Sequence, residues 1–355
     1  MRAAKTLIAA LACLAAALAA AEAEGIGVAA PLSGPAEPLG RQVEAGAGLA
    51  ASAGGVELVV ADDACSAQGG ADAARKFAAA KVGIVVGFLC TEAIEAALPI
   101  LKDAGIAVIT PGVRTESLTD QREKTGWPVF RLAARGDDER NAAAAILTRL
   151  WRDDLFAIID DGTIYGRELA ETVRAAAEQA ALKPVFVDTF RPQLDNQVGL
   201  IGRLRKAGAT HVFVGGDGSD IAIMARDARG LGADMTFAGG EALRTVQADV
   251  PYAAGTLMIA EPEWSEAADR QVLDAFAAAG VLPEGYALPA YAAVEVAIAA
   301  KALTAAGRPL SEALTGHDFE TAIGPVRFDE KGDLTQNRYR AFRFDGTRFV
   351  PTGGE

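Results

Sequence analysis

Histidine and cysteine are scarce, with two histidines, His211 and His317, and three cysteines in 355 residues. They share no ligand spacing, which excludes the usual structural zinc sites. Basic residues are in deficit, 34 against 47 acidic, and a formal net charge of -13 repels nucleic acid and anionic lipid surfaces, so a general nucleic-acid binder is excluded. Enzyme signatures are missing where they would stand. The first strand-to-helix turn reads Ala30-Pro31-Leu32-Ser33-Gly34-Pro35 in place of a GxGxxG fingerprint, and neither GxxxxGK[ST] nor GxSxG occurs. Gly215-Gly216-Asp217-Gly218 is a lone glycine cluster, and Asp62-Asp63 lacks the further spaced carboxylates that a metal site needs. No catalysis, cofactor or metal is expected.

What is present is a chain long enough for two domains, 51% apolar and 23% charged, a balance that opposes disorder. At the N-terminus Arg2 and Lys5 precede an uncharged Ala/Leu run from Thr6 to Ala20, and Ala21 and Ala23 flank Glu22. This three-part pattern reads as a secretory signal peptide, residues 1–23, cleaved after Ala23 or Ala21. The run falls short of the roughly 20 residues of a membrane span, which disfavours an uncleaved anchor. Lipid attachment at Cys13 fits poorly, because more Ala and Leu follow it. Cleavage leaves Cys65 and Cys90 in an oxidising compartment, where an even count reads as a disulfide. The competing reading, a reactive thiol at Cys90, would need a base, and neither histidine has a sequence-level claim to that place.

From Gly25 onward, short Val/Ile-rich runs alternate with Ala-rich stretches of helical periodicity. Strands are predicted over 25–29, 57–61, 82–87, 106–110, 155–160, 184–189, 211–215 and 235–239, with a helix between most neighbours. Such alternation means βαβ units, that is, α/β domains with doubly wound parallel sheets. A polar stretch from Glu116 to Gly126 without a helix-length apolar stripe breaks the rhythm and fits a domain boundary. After Gly255 the rhythm changes again. A strand over 255–260, helices over 265–279 and 289–306, and short strands over 325–328 and 339–344 are expected. The 289–306 stretch is apolar nearly all round but holds Glu295 and Lys301, so it reads as a buried core helix and not as a membrane span.

Ligands of open parallel sheets bind beyond the carboxyl ends of the strands. The turns there offer Phe88-Leu89-Cys90-Thr91, with Thr91 placed to cap the next helix, and Thr110 to Thr115, which holds Arg114. The later turns offer Asp161 and Tyr165, Asp217, and Gly239-Gly240-Glu241. Hydroxyl, N–H groups and Arg114 suit a carboxylate, whereas Asp217 and Glu241 suit an ammonium, so a zwitterion would satisfy both. Each of these residues also has a plain reading as cap, turn former or packed surface residue.

Several segments carry a family resemblance along essentially the whole mature chain: Ile26 to Gly34, Ala61-Asp62-Asp63-Ala64-Cys65, Gly87 to Thr91, Thr110-Pro111-Gly112, Tyr165-Gly166, Gly240-Glu241 and Gly324 to Asp329. The chain resembles the leucine/isoleucine/valine-binding proteins, periplasmic receptors of ABC importers. The resemblance implies the type I periplasmic binding fold, two doubly wound lobes joined by a three-crossover hinge that closes over the ligand. The lobes expected from it are 24–126 with 262–330 and 127–261 with 331–355. It also implies that Cys65 and Cys90 are joined, that Thr91 and the Gly112 backbone receive a carboxylate, and that Glu241 receives an ammonium. Tyr165 would line the cleft, and Leu39, Leu89 and Cys90 would bound the side-chain pocket. Arg114 stands where the family commonly has a small hydroxyl residue and Asp217 where it often has an aromatic, which points to a ligand more polar than leucine. The partners implied are a small amino acid or related carboxylate and a membrane permease, with no nucleic acid. A monomer in the periplasm is the default, and a sensor reporting to a signalling partner is the alternative role.

Overall fold

A computed structural model describes residues 25–244 and 250–353; the expected signal peptide lies outside the described residues. Along the chain, β1 (Ile26–Ala30), α1 (Glu37–Gly54), β2 (Leu58–Asp62), α2 (Ala67–Ala79), β3 (Ile84–Gly87), α3 (Thr91–Asp103) and β4 (Ala107–Thr110) alternate as expected. The polar stretch after β4 winds into two single-turn helices, α4 (Ser117–Asp120) and α5 (Arg122–Thr125), before β5 (Val129–Arg131). Next come α6 (Asp138–Leu150), β6 (Phe156–Asp160), α7 (Ile164–Gln179), β7 (Phe186–Thr189), α8 (Val198–Ala207), β8 (His211–Gly215), α9 (Gly218–Gly230), β9 (Thr236–Gly239), a 3₁₀ turn (Glu241–Arg244) and β10 (Leu257–Ala260). The remainder holds α10 (Trp264–Ala267), α11 (Arg270–Ala278), α12 (Ala287–Ala305), α13 (Leu310–Leu314), β11 (Arg340–Phe344) and β12 (Phe349–Pro351). The expected strand over 325–328 is absent. That segment makes isolated bridges, Val326 to Phe319 and Phe328 to Thr315 and Leu334.

The described residues divide into two compact units, 25–133 with 264–335 and 134–263 with 336–353. The first crossing comes after Ala133 and not after 126, because β5 pairs in parallel with β4, Ile109 opposite Phe130. The last comes after Thr335 and not after 330, because Asp333 is held by Arg131 inside the first unit.

In the first lobe five parallel strands run in the order β2-β1-β3-β4-β5. Strand side chains alternate, so Ile26, Val28, Ile84, Val86, Ile109 and Phe130 face α1 and α12, while Ala29, Val85, Val108 and Val129 face α2 and α3. This two-faced burial explains why α12 is apolar nearly all round. Its 19 residues are long and apolar enough to cross a membrane by composition alone, yet most of that length is packed inside the lobe. Glycine permits the closest helix contact, since a Cβ on Gly46 of α1 would stand 1.9 Å from the Ala287 carbonyl oxygen at the start of α12.

In the second lobe the order is β12-β11-β10-β9-β8-β6-β7. Strands β6 to β10 are parallel, and β11 and β12 extend that edge antiparallel. Each sheet therefore has one place where chain order reverses, between β1 and β3 and between β6 and β8. The turns leaving those strands diverge there and open a crevice at the carboxyl edge. The predicted residues Leu39, Leu89, Cys90 and Thr91 follow β1 and β3, and Tyr165 and Asp217 follow β6 and β8.

Candidate functional site

In the first lobe, β3 ends in a sharp reversal. Gly87 has φ +117°, with a would-be Cβ 2.0 Å from the Ala29 carbonyl oxygen, and Phe88 follows at φ +59°. Fully buried Phe88 donates its N–H to Ala29 and accepts from the Thr110 hydroxyl at 3.0 Å through its carbonyl. The reversal directs Leu89-Cys90-Thr91 into the start of α3. Cys90, not Thr91, occupies the N-cap position, and it makes no side-chain cap hydrogen bond because its sulfur is joined to Cys65, with the two Cα atoms 5.2 Å apart. The expected capping role of Thr91 is thus corrected. At the first helical position its hydroxyl meets that of Thr115 at 2.6 Å, while the opening N–H groups of α3 have no helical acceptor.

Gly112 is required by close packing, since a Cβ there would lie 2.4 Å from Leu89 Cδ2 and 3.1 Å from the Tyr286 ring. Leu89 and Gly112 are therefore brought together, with Tyr286 beside them. Leu39, on the first turn of α1, is 42% exposed. Arg114 is half-buried. One residue beyond Arg114, Thr115 turns its hydroxyl to that of Thr91. Thr115 is held by Arg131, which donates to its carbonyl oxygen at 2.8 Å, to the Thr119 hydroxyl at 2.6 Å and to Asp333 at 2.9 Å. Only 1% of the Arg131 side chain is exposed. Arg131 escaped the sequence reading, although an arginine ending the apolar run Val129-Phe130-Arg131 signals a buried charge that must be paired.

In the second lobe, Thr163 caps α7 by accepting from the Gly166 N–H, and Asp161 in turn accepts from the Thr163 N–H and hydroxyl. Tyr165 is 38% exposed, and its hydroxyl donates to Glu139 Oε1 at 2.7 Å. The same oxygen accepts the Glu241 backbone N–H at 2.6 Å. Gly240 leaves room for this junction, since a Cβ there would stand 2.2 Å from Glu139 Oε1 and 2.6 Å from the Tyr165 hydroxyl. The Glu241 carboxylate accepts from the Tyr339 hydroxyl at 2.7 Å, lies 4.0 Å from Arg244 Nε and remains 29% exposed. Burial, and then the Glu139 charge, push the Tyr165 hydroxyl far above its ordinary pKa, so it stays a neutral donor. Asp217 is exposed at the N-cap of α9 and makes no cap hydrogen bond. Its turn lies against the Glu241 turn, where a Cβ on Gly218 would stand 3.3 Å from Leu243 Cα. Glu139 and Tyr339 were missed by the sequence reading, and no local pattern marks either.

The first lobe thus presents helix N–H groups and paired hydroxyls, which favour an anion. The second presents the carboxylates of Glu139 and Glu241 with two phenol hydroxyls and the nearby guanidinium of Arg244, 4.0 Å from Glu241, a net negative group that favours a cation. Among the described residues no group of acidic, histidine and cysteine side chains could hold a metal ion.

The sequence profile described as "Periplasmic binding protein" matches residues 25–348. The chain is 30% identical over 343 residues to the leucine-, isoleucine-, valine-, threonine- and alanine-binding protein of Pseudomonas aeruginosa, covering 91% of each chain. Its structure resembles a putative branched-chain amino acid ABC transporter protein of Rhodospirillum rubrum, with TM-score 0.75, 20% identity, and coverage of 92% of this chain and 99% of the other. It also resembles a solute-binding protein of Rhodopseudomonas palustris solved with 3,4-dihydroxybenzoic acid, with TM-score 0.60, 16% identity, and coverage of 90% and 92%. The chain belongs to the periplasmic binding protein family, in its leucine/isoleucine/valine-binding branch. These proteins bind solutes and are not enzymes.

Proposed function

We propose that this protein is a periplasmic receptor of an ABC importer that binds a small, polar amino acid and delivers it to a membrane permease. The observation that carries the reading is the second lobe's pairing of Glu241 with Glu139 around Tyr165 and Tyr339. An amino acid supplies the ammonium that this acidic group suits, whereas an aromatic carboxylate such as 3,4-dihydroxybenzoate does not. The first lobe reads the ligand's carboxylate through the start of α3 and the Thr91 and Thr115 hydroxyls. The Pseudomonas relative is named for threonine and alanine as well as for the branched-chain amino acids. Half-buried Arg114 favours the polar end of that range, because a charged side chain beside a purely aliphatic one is costly, whereas exposed Asp217 adds little to the argument.

The test is calorimetric titration of the mature chain, refolded to strip carried-over ligand, with threonine, alanine, leucine and 3,4-dihydroxybenzoate. Threonine is expected to bind most tightly, and Glu241→Gln to weaken it by tenfold or more, the usual loss for a charge-assisted hydrogen bond. Preferred binding of leucine would return the specificity to the branched-chain amino acids. Tight binding of 3,4-dihydroxybenzoate, unchanged by Glu241→Gln, would remove the ammonium role altogether.

A further inference from the structure

A second concave site lies within the first lobe, among the helices on the α1 and α12 side of its sheet. The start of α11, the middle of α12 and the 320–322 segment enclose a cavity of about 470 Å³, within the range of small-molecule sites. Its polar lining comes from Asp269, Gln271, Tyr291, Glu295, Glu320 and Thr321, and none of its lining residues is basic. Tyr291 and Glu295 stand four residues apart on α12, so one face of this mostly apolar helix turns both toward the cavity. Tyr291 is only 7% exposed, with its ring against Phe276 at 5.7 Å. Among the described residues its hydroxyl hydrogen-bonds no protein group, although the side chain lines the cavity. One oxygen of Glu295 accepts the Ala322 N–H at 2.7 Å, and Asp269 accepts the Gln271 N–H at 2.7 Å. Glu320 makes no ion pair among the described residues and is exposed at the rim. Burial, with the negative charges of Glu295 and Asp269, raises the pKa of the Tyr291 hydroxyl, which stays neutral and able to accept or donate.

We infer that this cavity binds a small organic cation, a primary amine or diamine, whose ammonium hydrogens reach the Tyr291 oxygen and the Glu295 and Glu320 carboxylates. An anion would be repelled by three carboxylates with no basic residue in the lining, and a bare metal ion is disfavoured because these acids form no ligand cluster. The site is independent of the amino-acid reading, since every lining residue lies in the first lobe and on elements other than those holding Thr91 and Gly112.

The test is titration of the full mature chain with 1,4-diaminobutane at fixed ionic strength, with 1,4-butanediol as the uncharged control. Saturable one-to-one binding of the diamine and none of the diol are expected. Glu295→Gln and Tyr291→Phe should weaken it about tenfold and the exposed-rim variant Glu320→Gln several-fold, while Glu241→Gln leaves it unchanged. Absence of saturable binding overturns the inference. So does binding that Glu320→Gln and Tyr291→Phe leave intact, which would be counterion attraction to an acidic surface, or binding abolished by Glu241→Gln, which would place the diamine in the second lobe.

Discussion

Asp63 is fully buried beside the disulfide. One of its carboxylate oxygens accepts the Cys65 N–H at 2.9 Å, and the other reaches no partner among the described residues. Burial, with the Asp62 charge adding to it, pushes its carboxyl up to about 6. Because the folded value lies above the ordinary one, the favourable contribution of the protonated form is complete below about pH 4 and is lost as pH rises through 6. Asp63→Asn is expected to raise stability at pH 8 by up to about 3 kcal/mol relative to its effect at pH 4. Denaturant midpoints at the two pH values check this, and a pH-independent difference would contradict it. Glu139 shows the opposite situation, a buried acceptor whose single oxygen serves two donors. Glu139→Ala leaves the Tyr165 hydroxyl and the Glu241 N–H without it, which should cost about 2–4 kcal/mol and weaken amino-acid binding. Glu139→Gln keeps a carbonyl acceptor, so it should restore most of the stability. Unfolding and titration of both variants separate the two effects.

At the scale of elements, helix α1 carries a built-in comparison. A Cβ at Gly46 would overlap the Ala287 carbonyl oxygen at 1.9 Å, whereas one at Gly48 would meet nothing within 4 Å. Gly46→Ala must push α12 away and should destabilise by about 1–3 kcal/mol. Gly48→Ala, on the same helix, should stabilise by about 0.5–1 kcal/mol. Thermal unfolding of the pair checks the crossing, and equal effects would contradict it. Most elements were legible in the sequence because burial on both faces of a parallel sheet requires near-continuous apolar runs such as Ile84-Val85-Val86. The single-turn helices at Ser117–Asp120 and Arg122–Thr125 were not legible. They lack an apolar stripe and are held by neighbours, Arg131 on Thr119 and Arg122 on the Val129 carbonyl.

At the scale of the whole molecule, the first lobe is assembled from segments far apart in the chain, and a buried ion pair ties them. Arg131 and Asp333 have side chains 1% and 5% exposed and lie 2.9 Å apart. Arg131→Met takes from buried Asp333 the cation it hydrogen-bonds and is expected to cost about 3–5 kcal/mol, whereas adding Asp333→Leu should recover a large part of that loss. Denaturant unfolding of the single and double variants measures the coupling, and additive losses would contradict it. The same arginine holds the Thr115 carbonyl, so the single variant should also weaken amino-acid binding.

By itself the sequence determined the alternating βα plan and the turns in which Thr91, Gly112, Tyr165 and Glu241 stand, because strand burial, helix periodicity and turn chemistry are local properties of the chain, whereas the bridge it suggested between Cys65 and Cys90 is established by the structure. Only the tertiary structure decided that Thr115 supplies the hydroxyl beside Thr91, that Glu139 and Tyr339 flank Glu241, and that Arg131 finds Asp333 some 200 residues later. Those partners are chosen by which strand ends and returning segments the fold brings together. A buried charge or hydroxyl announces its need for a partner in the sequence, but where that partner comes from is a matter of three-dimensional proximity.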